Sequence, residues 1–187
     1  MIFYYTARET FDKDDAAWQN YIELSRLSQL TELVSLDASL NEDLVEPDLD
    51  NENDTKYIML LDDSTVTCFF TSMEYVLNNM KPRERFNLLA VVIEPAENCA
   101  DVRLEGFDFL GYELLDQYYW TSPLSNCGGF DETFLPLELN QFGLLGDYEK
   151  AFDIQRRLFE NNPGEVHADT NVIAVWRHTV IGRDIIA

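Results

Sequence analysis

Asn87-Leu88-Leu89-Ala90-Val91-Val92-Ile93, closed by Glu94-Pro95, is an unbroken apolar run. A strand with one face in water alternates apolar and polar residues, whereas a strand covered on both faces has no reason to. The run therefore predicts the central strand of a sheet packed on both sides, and the rest of the chain has to supply its neighbours and its two covers.

Working outward, residues 107–115 alternate around Gly111, which predicts a second strand with a bulge or a close backbone approach at the glycine. Residues 171–181, Asn-Val-Ile-Ala-Val-Trp-Arg-His-Thr-Val-Ile, read as a long strand. Residues 57–61 and 66–70 are two apolar segments around Asp62-Asp63-Ser64 and predict a hairpin, and residues 2–5 and 31–37 read as short strands. Helices are predicted over residues 14–30, with Ala17, Tyr21, Leu24, Leu27 and Leu30 inward, over a short stretch capped by Ser72, and from the Asp147 cap to about Asn161. In the last, Ala151, Ile154, Leu158 and Phe159 are assigned to the buried side. Residues 124–146 read as irregular, with one helical turn near 138–142. Strands and helices follow one another without steady βαβ alternation, so the expectation is one α+β domain over residues 1–187, a mixed, mostly antiparallel sheet packed with a few helices.

The 187 residues carry 35 Asp and Glu against 13 Lys and Arg, a formal net charge of −22 at pH 7. Such an excess repels nucleic acid and anionic membranes, and it either serves solubility alone or speeds encounter with a basic protein. Ten of the acids lie between Asp37 and Asp63 with one base, Lys56, which predicts an exposed acidic loop at about residues 41–56. Glu46, Asp48, Asp50, Glu52 and Asp54 are its candidate partner-binding residues. Tyr118, Tyr119 and Trp120 join them, because three adjacent aromatics cannot all point inward; core packing otherwise accounts for Trp18, Trp120 and Trp176. The start of the chain has no signal-peptide pattern and no apolar run reaches membrane-spanning length, so a soluble cytoplasmic protein is expected.

A competing reading uses Ser125-Asn126-Cys127-Gly128-Gly129-Phe130 and His167-Ala168-Asp169. Cys127 as nucleophile, His167 as base and Asp169 as orienting group would form a cysteine-dependent hydrolase. The bland alternatives are a tight turn with a structural cysteine and a histidine that ties a loop down. Cys68, Cys99 and Cys127 have no paired spacing, the two histidines no ligand motif, and no phosphate-cradling or dinucleotide-binding glycine pattern is present, so neither metal nor cofactor is expected.

The strings Leu27 to Asp37, Phe109 to Asp116, Ser125 to Phe130 and His167 to Asp169 together resemble a family of small uncharacterised bacterial proteins, which implies one intact domain and carries over no activity. In size, acidity and lack of catalytic motifs the chain is also similar to immunity proteins, which neutralise toxins by filling a basic cleft with carboxylates. The leading expectation is thus a protein-binding inhibitor of a basic toxin partner; the alternatives are the hydrolase and an acidic mimic of DNA. Fluorescence anisotropy with duplex or single-stranded DNA at physiological salt is expected to show no binding, and tight binding would overturn this reading of the charge.

Overall fold

The computed structural model describes residues 1–10, 16–59, 69–125 and 136–183. The apolar run lies within β4 (Phe86–Ile93), in which Leu88, Leu89, Ala90 and Val91 are fully buried. Around it β1 (Tyr4–Glu9), β2 (Ile58–Met59), β3 (Phe69–Phe70), β5 (Phe107–Asp116) and β6 (Thr170–His178) complete a six-stranded sheet of order β2-β3-β1-β4-β6-β5. Every pairing is antiparallel. The expected α+β class and the central place of the apolar run are what the fold has.

The helices lie on one face. Ala90 and Val92 of β4 and Val172, Ala174 and Trp176 of β6 pack with Trp18 and Tyr21 of α1 (Ala16–Ser25) and with Ala151, Ile154 and Leu158 of α4 (Tyr148–Asn161). Phe86 and Leu88 continue the same face beneath Tyr75 and Val76 of α3 (Met73–Asn79). Two of these helices start where the sequence places their caps: Ser72 Oγ accepts from the Tyr75 amide and Asp147 Oδ1 from the Lys150 amide. α1 is shorter than expected, because Arg26 turns into the left-handed region (φ 61°), and it buries Trp18, Tyr21 and Ser25 while Leu24 is exposed. Phe159, assigned inward from spacing, is also exposed.

Irregular chain covers the other face. Residues 31–37 form no strand, contrary to expectation, since Leu33, Val34, Ser35, Leu36 and Asp37 are all buried and no outward row remains to alternate. This strap is pinned step by step, Thr31 N to Gln141 O (3.0 Å), Val34 N to Phe142 O (3.0 Å) and Ala38 N to Trp120 O (2.8 Å), before residues 42–44 run along the edge of β1, Leu44 N to Ala7 O (3.0 Å). Leu44 and Val45 belong to the core, so the exposed acidic stretch begins at Glu46 rather than at residue 41 and contains one helical turn, α2 (Glu52–Thr55). The helical turn expected near 138–142 lies earlier, at Pro136–Glu138. β2 and β3 pair as the hairpin predicted, and its turn lies outside the described residues.

The bulge expected at Gly111 is present and sets which side chains face which cover. Phe109 pairs with Trp176 and Gly111 with the next residue, Val175, so β5 carries one extra residue there. Phe107 and Phe109 face the helices before the bulge, Tyr112 and Leu114 after it, which transfers Glu113 to the strap side. Gly111 has φ +143° and an added Cβ would lie 2.6 Å from the Leu145 carbonyl oxygen. Gly111→Ala is expected to cost at least about 2 kcal/mol in urea denaturation, as strain and backbone clash add; a loss below half that would show that the bulge relaxes freely.

Candidate functional site

An irregular strap pressed on a sheet has amides that no ladder satisfies, and here carboxylates accept them. Glu113, 1% exposed, accepts from Leu36 N (3.3 Å) and Leu114 N (3.2 Å) and from Ser122 Oγ at 2.5 Å. Asp37, also 1% exposed, accepts from Ser39 N (2.8 Å), Ser39 Oγ (2.5 Å) and Ser122 N (3.0 Å). Ser122 thus bridges two buried carboxylates. Burial pushes the Glu113 carboxyl up to about 7; the hydrogen bonds from Ser122 and Ser35 oppose this, and the like charge of Asp37 adds to it.

Asp116, at the end of β5, organises the turn that follows. Its Oδ1 accepts from Tyr118 N (3.1 Å) and Trp120 N (2.9 Å), and its Oδ2 from Thr121 N (3.3 Å) and Thr121 Oγ1 (2.7 Å). His167 Nδ1 lies 2.7 Å from the same Oδ2 and 2.9 Å from Thr121 Oγ1. Burial of Asp116 opposes ionisation, but the bonds from Thr121, the Trp120 amide and His167 together hold the carboxyl below its usual range. The turn they fix includes Tyr119 at φ 56°, a conformation that non-glycine residues adopt at a cost the converging bonds offset.

The three aromatics divide. Trp120 is 48% exposed and Tyr118 36%, whereas Tyr119 is buried, edge-on to Phe69 at a centroid distance of 6.0 Å. Tyr119 is therefore a core residue and not a contact residue, and Trp120 is not the core residue that its type suggested. Glu46, Asp48, Asp50 and Glu52 are exposed and Asp54 half-buried. Glu46 is held by Lys81 at 2.7 Å, and Asp48 and Asp54 knit the segment, Asp54 Oδ2 accepting from Asp48 N (3.2 Å) and Asp48 Oδ1 from Asp50 N (3.0 Å). Cys127 lies outside the described residues. Asp169 is exposed, and the carboxylate bonded to His167 is Asp116, fifty-one residues away in sequence and brought close because β5 ends beside the start of β6. Sequence reading missed Glu113 and Asp116 as site residues. The signal for Glu113 was present: one charge inside the apolar string Leu110-Gly111-Tyr112-Glu113-Leu114-Leu115. Among the described residues no cluster of potential ligands could hold a metal ion, and no helix is long and apolar enough to cross a membrane.

Asp116→Ala strands several donors at once and is expected to lower stability by about 3 to 5 kcal/mol, while Asp169→Ala stays within about 0.5 kcal/mol. Because folding lowers the Asp116 pKa, its stabilising share is complete above the ordinary value of 3.8 and is lost as pH falls through the lower folded value. Urea denaturation of both variants at pH 7 and pH 3 checks the ranking; equal losses would deny Asp116 its organising role.

No family model, curated protein or solved structure matches this chain.

Proposed function

We propose that this chain is a cytoplasmic protein-binding inhibitor of the immunity-protein kind, docking on a basic partner such as a toxin. The observation that carries the reading is the Tyr118–Trp120 turn, in which the backbone of a half-exposed tryptophan is fixed from below by a buried carboxylate. An exposed aromatic on a backbone that is already fixed loses less freedom on association, which suits a binding anchor. The charge supports a basic partner. Many of the cations are engaged by the chain's own acids: Lys81 by Glu42 and Glu46, Arg83 by Glu42, Lys150 by Glu138, Arg156 by Asp153 and Glu160, and Arg177 and Arg183 by Glu32. With those cations paired, the exposed Asp48, Asp50 and Glu52 present negative charge at the surface, which attracts a basic partner.

The hydrolase is kept as a second reading on one observation: His167 Nδ1 is held by the buried Asp116 at 2.7 Å, the relation of a catalytic base to its orienting group. In that reading Asp116 replaces Asp169 and Nε2 is the nitrogen that would serve Cys127.

A partner captured from the native host at low salt tests both. Trp120→Ala is expected to weaken binding at least about 30-fold. Changing Glu46, Asp48, Asp50, Glu52 and Asp54 together to amides is expected to slow association and flatten its dependence on salt, with dissociation little altered. Cys127→Ser is expected to leave activity intact; a loss with unchanged stability would move the hydrolase to first place.

A further inference from the structure

We propose that Glu113 and Asp37, joined through Ser122, form a proton-operated latch that sets how firmly the Tyr118–Trp120 turn is held, tight when Glu113 is protonated and loosened when both carboxylates are charged. The latch rests on the proposed reading of that turn as the contact surface only for its consequence, and it is tested on the free chain. Its geometry is the argument. Ser122 donates its hydroxyl to Glu113 and its amide to Asp37, and one residue earlier Thr121 is fixed to Asp116, so the turn hangs between a buried pair of acids and its own anchoring carboxylate.

Among the described residues, the groups named against Glu113 are neutral or negative. From the strap come Ser35, the Leu36 amide and the like-charged Asp37; from residues 121–125, Ser122; across the ladder on β6, apolar Ile173. Arg8 of β1 is the cation that reaches the same strap, where its guanidinium meets the Asn41 carbonyl (3.1 Å) and Asp43 (3.8 Å). Asp116, further along β5, turns its carboxylate to Thr121 and His167. Two neighbouring buried anions repel, and one proton on Glu113 removes the repulsion and turns its contact with Ser122 into one in which the serine accepts.

The folded state raises the Glu113 pKa from 4.5 to about 7, so the stabilisation from its proton is complete below 4.5 and is lost as pH rises through about 7. Asp116 acts with the opposite sign and below 3.8, outside that window. His167 also touches the turn, through Asp116, and needs its own control.

The experiment is a pH series from 5.5 to 8.5 on the free protein, reading hydrogen exchange at the Leu36 and Ser122 amides, corrected for intrinsic rates, and acrylamide quenching of tryptophan. Trp18 and Trp176 are buried, so quenching reports Trp120. Protection at these amides is expected to fall about thirtyfold across the series and to level off above about 7, the free-energy change of roughly one and a half pKa units. The transition should vanish in Glu113→Gln and persist in His167→Gln; the reverse pattern overturns the latch. Should Glu113→Gln fail to fold, carboxyl-carbon NMR of Glu113 in the unaltered chain decides: a midpoint between 6 and 8 supports the latch and one below 5 refutes it. If the latch titrates as stated while Trp120→Ala leaves partner binding intact, the contact surface is wrong and the latch stands.

Discussion

A backbone amide buried without a partner costs more than most single contacts return, and the structure is governed by that constraint on the strap side of its sheet. Helices satisfy their own amides and can cover a sheet with apolar side chains alone. Irregular chain cannot. Where residues 31–45 and 117–125 cross the sheet, acceptors have to come from somewhere, and they come as the carboxylates of Glu113, Asp37 and Asp116, each taking two or more donors. The polar interior of this protein follows from what covers its sheet.

The placement of those carboxylates depends in turn on one glycine. A strand's side chains alternate strictly, and without the extra residue at Gly111 the parity set by Phe107 and Phe109 would turn Glu113 toward the apolar helix side, opposite Val172. The bulge resets the parity midway along β5. A local backbone irregularity thereby decides whether a charge meets donors or hydrocarbon.

Much of this architecture is legible in the sequence wherever a local rule has no competitor. The uninterrupted apolar run marks β4, Ser72 and Asp147 mark two helix starts, and Gly111 marks its bulge. Periodicity fails where tertiary packing overrides it: Leu24 and Phe159 continue apolar spacings past the point where a neighbour exists to cover them, and residues 33–37 are buried without an outward-facing row. The site was less legible than the fold. Tyr118 to Trp120 stood out as a group, yet which of the three turns inward depends on the left-handed backbone at Tyr119, and the carboxylate that meets His167 depends on the pairing of β5 with β6. Long-range pairing of this kind leaves no mark in a single sequence.

The strand order has a bearing on how the chain assembles. β6, sixth in sequence, is inserted between β4 and β5, which do not pair with each other. Until residues 170–178 have emerged during synthesis, β4 and β5 each present an unpaired side that only β6 can fill, and the carboxylate-lined strap has no finished surface to settle on. Productive folding is therefore expected to wait for β6 and to be cooperative rather than sequential, with a nascent chain whose open strand edges make it a natural client of chaperones.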